Sequence, residues 1–368
     1  MAHALLRSTD ESALPLERWF GGDSTPRPAR VPLTQLPTRV HLLPRWSASL
    51  GAEVWVKRDD ETNPLYGGNK PRKLEFLLGD ALHRGYHSVL TFGGLGTHHG
   101  LATAFFASKV CLQTILGLLY QPITPAVREN LLCLHALGAK LLYGDNIARL
   151  TAITLRELFG RFLRADLPYV IPTGGSSPLG TLGYVNAGME LAEQVNRGDV
   201  PMPKAIFVPL GSGGTVAGLA MALKLVGMPS KVVGVLVTDI FPPTQRRLFR
   251  LARRTARYLG RATVKQLAAL EESDFVIERG FVGRGYGAAI PEAEALAAWL
   301  REEEGIELEA TYTAKTAYAL ERGVREGRWG RGPFLFWLTF SRVGLAKQLA
   351  PLPDFHELPR VFHRFFSE

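Results

Sequence analysis

The sequence predicts an α/β protein, two-lobed, in which mostly parallel, twisted sheets carry helices on both faces. Two observations lead to this fold class. Short apolar runs alternate with amphipathic segments of roughly 10 to 15 residues, the pattern of β-α-β units. Three of the strand exits carry glycine-rich loops, which open α/β sheets place at the carboxyl ends of their strands. At 368 residues, the chain is long enough for two domains.

The elements follow from periodicity and turn signals. The helix over 71–85 shows the i, i+3, i+4, i+7 spacing of apolar residues, from Leu74 to Leu82. The predicted strands cover 53–57, 88–92, 113–119, 140–143, 169–172, 205–209 and 231–237. The other predicted helices cover 98–110, 125–137, 146–162 and 181–195, and one more ends at 226. Residues 1–37, rich in Pro, Ser and Arg, predict an arm laid over a domain.

Composition indicates an ordinary globular chain. The 43 Lys+Arg exceed the 34 Asp+Glu by nine charges, and hydrophobic residues make up 46%, which argues against disorder. Only Cys111 and Cys133 are present and no apolar signal segment precedes Asp10, so a cytoplasmic location is expected. The uncharged stretch 205–223 is interrupted by glycines, which predicts a strand, a loop and a helix rather than a membrane span.

An arginine-rich segment and a pair of histidines could indicate nucleic-acid or metal binding, but both are interpreted as having no binding function. Six arginines between Gln245 and Tyr258 fit a solvated helix face, because no known nucleic-acid reader motif accompanies them. His83 and His87 are spaced i, i+4, but Arg84 stands where a zinc protease motif needs glutamate. We expect no nucleic-acid, membrane or metal partner.

The glycine-rich loops at 93–97, 174–177 and 211–215 predict an anionic ligand, because helix N-termini present free N–H groups there. None of these loops has the Lys-Ser/Thr of a P-loop. The dinucleotide pattern fails at 211–215; it is matched at 283–288, but there a loop and Pro291 separate strand from helix. A cup for one phosphate group remains, formed by Gly211, Ser212, Gly213, Gly214 and Thr215.

Lys70 stands out at the start of the helix over 71–85. Arg72 and Lys73 follow it, so three cations crowd the positive end of a helix dipole. We expect Arg72 and Lys73 to point into water. For Lys70, neighbouring positive charge favours the neutral, nucleophilic amine that a Schiff-base lysine needs. A lysine of this kind together with a single-phosphate cup is the pairing that pyridoxal 5′-phosphate requires.

At this point a family resemblance becomes specific. Six segments resemble, in order, the pyridoxal-phosphate enzymes typified by D-cysteine desulfhydrase and 1-aminocyclopropane-1-carboxylate deaminase, within the tryptophan synthase β-subunit group. They are GGNKPRKLEFLLGDAL, TFGGLGTHH, PTGGSSPLGTLGYVNAGMEL, VPLGSGGTVAGLA, GRGYGAAIPEAEALAAWLREEEGIELEATYTAK and GPFLFWLTFS, spanning about residues 38–350. The resemblance implies a large cofactor-binding domain over 38–72 plus 185–368 and a small domain over 73–184. It also implies a cofactor in the cleft between them and a homodimer.

The resemblance assigns roles residue by residue. Lys70 would hold the cofactor through a Schiff base and then remove the substrate α-proton, with Asn69 beside it. The loop 211–215 would cradle the phosphate, Tyr286 and Tyr312 would line the substrate pocket, and Thr313 would face the pyridine nitrogen. The deaminases of the family place a glutamate at this last position. A neutral hydroxyl gives a weaker electron sink, which favours β-elimination from a small amino acid to a 2-oxo acid and ammonia.

Two segments depart from the family pattern. Thr97-His98-His99 replaces Ser-Asn-Gln or Ser-Asn-His, so Thr97 keeps the hydroxyl that meets the substrate and His98 takes the place of an asparagine beside the cofactor. Leu338-Thr339-Phe340-Ser341 replaces His-Thr-Gly-Gly. These changes leave two alternatives to β-elimination open: ring opening of 1-aminocyclopropane-1-carboxylate, and a catalytically silent protein that binds pyridoxal phosphate as a carrier or sensor.

Overall fold

The computed structural model describes residues 14–19 and 28–366 and contains two sheets. The six-stranded sheet has the order β1-β2-β10-β7-β8-β9, with only the β1–β2 pair antiparallel, and the four-stranded sheet β5-β4-β3-β6 is parallel throughout. The strands are β1 (Val40–Leu42), β2 (Val54–Arg58), β3 (Ser88–Gly94), β4 (Gln113–Leu119), β5 (Lys140–Gly144), β6 (Tyr169–Val170), β7 (Ala205–Leu210), β8 (Lys231–Leu236), β9 (Val276–Glu278) and β10 (Phe334–Leu338).

Helices connect these strands, as parallel pairing requires. They are α1 (Pro15–Trp19), α2 (Pro44–Leu50), α3 (Lys70–His83), α4 (His98–Lys109), α5 (Pro125–Ala136), α6 (Ile147–Phe162), α7 (Pro178–Arg197), α8 (Gly214–Leu225), α9 (Gln245–Tyr258), α10 (Arg261–Gln266), α11 (Pro291–Glu304), α12 (Thr313–Arg325) and α13 (Leu345–Gln348). The predicted α/β class with mostly parallel sheets is confirmed.

Both faces of the six-stranded sheet are covered. Alternate residues of β10 point to opposite sides: Phe334 and Phe336 pack in one apolar cluster with Trp46 of α2, and Leu335 and Trp337 pack in the cluster that contains α7 and α8. These four side chains of β10 are fully buried. β10 pairs with β2 on one side and with β7 on the other, at the centre of the sheet, although it is the last strand in the chain. Sequence periodicity did not identify it as a strand.

The uncharged stretch 205–223 forms β7, the turn of the phosphate-cup loop and most of α8, as predicted. Within the described residues, no helix is long and apolar enough to cross a membrane. In the described part of the N-terminal arm, Leu14 and Leu16 are buried, and the Leu16 amide donates to Asn186 Oδ1 of α7 at 3.0 Å. These contacts attach the arm to the large sheet's helical layer.

Candidate active site

A cavity of about 790 Å³ lies between the two sheets, at the carboxyl ends of their strands. All three glycine-rich loops of the sequence reach its wall, together with the segments that follow β4, β8 and β10. Its size is within the range of small-molecule sites, and parallel α/β sheets bind ligands at this edge.

The loop before Lys70 is held tightly against β10. Gly68 has a φ of +89° and donates its amide to the Asp59 carbonyl at 2.7 Å, and a Cβ on it would lie 2.8 Å from the Thr339 carbonyl oxygen. Gly67 abuts the Asp60 backbone, so neither position has room for a side chain. These contacts fix where α3 begins, and Lys70 is its first residue.

The Lys70 amine projects into the cavity and donates to Asn69 Oδ1 at 2.6 Å. Burial lowers the pKa of Lys70 to about 8, while the nearby Glu309 carboxylate opposes the decrease. A larger fraction of this lysine is therefore neutral at physiological pH than of an exposed lysine, as a Schiff-base lysine requires.

The prediction that Arg72 and Lys73 point into water is wrong. Arg72 is 1% exposed and its guanidinium binds Asp59 and Glu190, at 2.7 Å and 2.9 Å. Lys73 is 2% exposed and its Nζ lines the cavity, donating to the Gly174 carbonyl at 3.1 Å. The missed signal is helical spacing, because residues three apart share a face of a helix, so Lys73 follows Lys70 inward.

The loop at 211–215 fits a phosphate group. Gly213 has a φ of +98°, and a Cβ there would lie 2.6 Å from Leu248 of α9. Gly211, Ser212, Gly213 and Thr215 line the cavity, and the loop opens α8, whose first N–H groups have no helical partner.

A second glycine loop completes this cup. The Gly214 amide donates to Ser176 Oγ at 2.9 Å, and Ser176 and Ser212 share a hydrogen bond at 2.7 Å. The Lys73 amine lies beside them, 3.1 Å from where a Gly214 Cβ would stand. Burial and the neighbouring Lys70 hold the pKa of Lys73 well below its ordinary value, and a phosphate dianion beside the amine would favour its charged form. Backbone donors, hydroxyls and one buried cation suit a phosphate dianion, so the residues present fit the phosphate end of the predicted cofactor.

Thr97 and His98 lie where β3 leads into α4, on the side of the cavity formed by the small sheet. Thr97 caps α4, its Oγ1 accepting from the Gly100 amide at 3.1 Å. His98 packs edge-on against Phe340 with ring centroids 5.7 Å apart. Burial lowers the pKa of His98, and Lys70 lowers it further while Glu309 raises it, so the imidazole stays neutral at pH 7.

The predicted tyrosines meet across the cavity. Tyr286 Oη and Tyr312 Oη are 2.5 Å apart, and the Tyr286 amide donates to Asp239 Oδ1 at 3.0 Å. Burial raises the pKa of both phenols, so both remain protonated at neutral pH. Tyr312 also lies 3.4 Å from the Cβ position of Gly211, which places its ring beside the phosphate cup.

Gly214 and Thr313 are the predicted site residues that do not line the cavity. Thr313 is fully buried, and its hydroxyl lies 3.2 Å from Glu309 Oε1. Glu309 also accepts the Tyr312 and Thr313 amides at 2.8 Å and 2.7 Å, and its carboxylate lines the cavity. Sequence analysis missed Glu309; its position ahead of a helix N-terminus, where carboxylates are favourable, was the available signal.

The fold and the cavity together define an α/β enzyme class that holds an anionic cofactor and a reactive lysine between two parallel sheets. Comparison with known proteins makes the class specific. The sequence profile described as "Pyridoxal-phosphate dependent enzyme" matches residues 31–339. The chain belongs to this family, and its cofactor is pyridoxal 5′-phosphate, as the lysine and the phosphate cup predict.

Curated relatives cover most of the chain. A Klebsiella pneumoniae protein named D-cysteine desulfhydrase is 35% identical over 317 residues, covering 83% of this chain and 92% of the relative. A Pyrococcus abyssi protein provisionally named 1-aminocyclopropane-1-carboxylate deaminase is 34% identical over 306 residues, covering 82% of this chain and 88% of the relative.

Solved structures agree with the fold. One titled as an ACC deaminase homologue has a TM-score of 0.75 and 30% identity, covering 92% of this chain and 99% of that one. Threonine deaminase isoform 2 from Solanum lycopersicum has a TM-score of 0.58 at 17% identity, covering 86% and 88%, and shares the fold alone. The predicted family resemblance is confirmed, and so is the predicted class of pyridoxal-phosphate lyases and deaminases.

Proposed function

We propose that the protein removes the Cα proton of a small amino acid and expels a substituent from Cβ, releasing a 2-oxo acid and ammonia. One observation carries the proposal: a lysine of lowered pKa shares a cavity with a phosphate cup and a pair of protonated tyrosines. The relative named D-cysteine desulfhydrase supports elimination as the reaction type.

Two groups of residues hold the cofactor in this proposal. The Gly211–Thr215 loop and the Lys73 ammonium bind the phosphate, and Asn69 stays beside the Lys70 amine through its 2.6 Å contact. Bound pyridoxal phosphate supplies an electron-withdrawing ring that stabilises negative charge at the substrate Cα. Lys70 would hold the cofactor covalently, and its free amine would be the base that takes the proton from Cα.

The remaining residues orient the substrate and move a second proton. The Thr97–His98 corner faces the carboxylate of the substrate, because the N-terminus of α4 presents N–H groups there. In the Tyr286–Tyr312 pair one phenol donates a hydrogen bond to the other across 2.5 Å, and the pair delivers a proton to the departing group. Both phenols are protonated at pH 7, as a general acid must be.

Ring opening of 1-aminocyclopropane-1-carboxylate is the second candidate. It is favoured by the Glu309 carboxylate at the cavity wall, because a carboxylate near the pyridine nitrogen keeps that nitrogen protonated and strengthens the electron sink. Thr313 stands where the deaminases of the family carry glutamate, which favours elimination instead. Its predicted position facing the pyridine nitrogen stays a prediction.

The test combines the visible absorbance of the purified protein with product release. D-cysteine, L-cysteine, D-serine and 1-aminocyclopropane-1-carboxylate are added separately, and ammonia and 2-oxo acid are measured. We expect a cysteine enantiomer to shift the absorbance and release both products, and Lys70→Ala to abolish both effects. Lys347→Ala, an exposed lysine on α13, is the matched control. Release from the cyclopropane alone supports the second candidate, and a silent panel supports a carrier or sensor.

We also propose that the protein is a cytoplasmic homodimer divided into the domains 38–72 plus 185–368 and 73–184. The four-stranded sheet falls within 73–184, and the six-stranded sheet falls within the flanking segments. Both cysteines are free, which suits a reducing compartment. Sedimentation equilibrium of the cofactor-loaded protein tests the dimer, and limited proteolysis near the two domain junctions tests the division.

A further inference from the structure

The cavity extends beyond the groups used in the proposed reaction, and its chemistry changes along its length. The charged side chains of its lining are Lys70 and Lys73 of α3, Arg247 of α9, and Glu309, which precedes α12. The small-domain wall opposite is one face of α6. That face contributes Ile147, Leu150, Thr151, Thr154 and Leu155.

The residues at the mouth of this part of the cavity have apolar side chains that are exposed to solvent. On α6, Ile147 is 53% exposed and Leu155 is 60% exposed, although a helix of this length ordinarily turns such residues toward the core. Across the cavity, Ile240 and Phe241 follow β8 and are 54% and 70% exposed. Large apolar side chains that stay exposed while lining a cavity are characteristic of a ligand surface.

The backbone conformation of Phe241 also indicates a functional role for this loop. The φ of Phe241 is +50°, in the left-handed region that bulky residues rarely adopt because the Cβ crowds the backbone there. The neighbouring backbone is fixed, because Asp239 accepts the Tyr286 amide and Thr238 Oγ1 accepts the Ile240 amide at 3.1 Å. The strained loop therefore presents an aromatic ring to the cavity mouth, beside one of the tyrosines of the proposed reaction.

From these observations we infer that the substrate is a cysteine carrying an apolar substituent on sulfur, whose substituent packs between α6 and the 238–241 loop. This inference rests on the proposed elimination and names its substrate class. An alkyl or benzyl group on sulfur adds apolar area that can pack against this surface, whereas the thiol of free cysteine adds none. A thiolate is also a competent leaving group for β-elimination.

The reaction balances without an added oxidant or reductant. Lys70 takes the Cα proton, and the C–S bond breaks with both electrons remaining on sulfur. The thiolate takes a proton, for which the Tyr286–Tyr312 pair is the donor, and leaves as a free thiol. The three-carbon fragment adds one water and separates into pyruvate and ammonium.

The experiment measures kcat/KM of the cofactor-loaded protein for cysteine and its S-methyl, S-propyl, S-butyl and S-benzyl derivatives, each as both enantiomers. Thiol and pyruvate are the products followed. Burial of an added methylene predicts a rise of about fourfold in kcat/KM per carbon along the alkyl series, for the enantiomer that is accepted. Substitution of one side chain of the apolar wall should reduce that rise: in Leu155→Gln, the ratio of S-butyl to unsubstituted cysteine falls about tenfold.

Phe159→Gln is the matched control, since Phe159 lies one turn further along α6, is 64% exposed and does not line the cavity. It should leave the ratio unchanged. If cysteine reacts but S-substitution brings no gain, or if both variants change the ratio equally, the inference is overturned and the proposed elimination stands. If no cysteine derivative releases pyruvate, the elimination itself fails and the inference falls with it.

Discussion

Glu190 of α7 is the acidic centre of a buried charge network that connects α3 to the large sheet. Its Oε1 accepts from Lys57 Nζ at 2.5 Å and its Oε2 accepts from Arg72 Nη1 at 2.9 Å, and the Thr38 amide donates to Oε1 at 3.0 Å. Glu190, Lys57 and Arg72 are each at most 1% exposed. We expect Glu190→Gln to destabilise the protein strongly, because two buried cations lose a counter-charge.

The magnitude follows from the pKa of this carboxyl. Arg72 and Lys57 hold the pKa of Glu190 at about 2, below its ordinary 4.5, although burial acts in the opposite direction. At about 1.4 kcal/mol per pKa unit, the difference is worth about 3 kcal/mol. This agrees with the roughly 3–5 kcal/mol that breaking a buried ion pair costs. Because the folded-state pKa is the lower one, the stabilisation is complete above about pH 4.5 and is lost as the pH falls toward 2.

The assay is urea denaturation of the wild type and Glu190→Gln at pH 7 and at several values down to pH 3, with the cofactor kept saturating. The difference in unfolding free energy should be about 3 kcal/mol at pH 7 and should shrink at acid pH. Glu193→Gln is the control, because Glu193 lies on the same helix as Glu190 but pairs with the half-exposed Arg18 of α1, and such exposed pairs contribute about 0–1 kcal/mol. A loss below about 1 kcal/mol in Glu190→Gln, or one independent of pH, would refute the argument.

Four further predictions concern the site. The rate at which Lys70 of the cofactor-free protein reacts with pyridoxal phosphate should rise with pH to a midpoint near 8, and a midpoint above 10 in stopped-flow absorbance would contradict the lowered pKa. Lys73→Gln should weaken cofactor binding about tenfold in fluorescence titration, since a buried cation beside the phosphate cup is lost; unchanged affinity would place the phosphate elsewhere. Gly213→Ala, at a φ of +98°, should lower cofactor affinity at least as much, whereas a neutral effect would show that the loop tolerates a side chain. Tyr286→Phe should lower kcat about a hundredfold if the Tyr286–Tyr312 pair donates the proton, and a change confined to KM would assign it to binding alone.

Local signals in the sequence were sufficient for the fold class and for the chemical core of the site. Apolar periodicity is a property of neighbouring residues, so most helices and strands of the two sheets were predicted within a few residues, and β4 was predicted over its full length. The same locality explains why the loop 211–215 and Lys70 could be predicted as site residues, because a glycine-rich turn before a helix and a lysine at a helix start are contiguous patterns. The central strand β10 was missed because its five residues are buried on both faces and show no alternation, and because no glycine-rich loop follows it as one follows the equally buried β7.

Only the tertiary structure decided which side chains share the cavity. Arg72 and Lys73 look solvated in the sequence, since a buried cation is costly. The acids that compensate Arg72 lie outside its own helix, Asp59 13 residues and Glu190 118 residues away along the chain. Glu309, just before α12, also reaches the site through packing between segments that are distant in the sequence. Burial and charge pairing depend on contacts between distant segments, and these exist only once both sheets and their helices have packed. The sequence by itself therefore determined the cofactor chemistry, and the packing of the two sheets determined the electrostatics and the shape of the cavity in which it takes place.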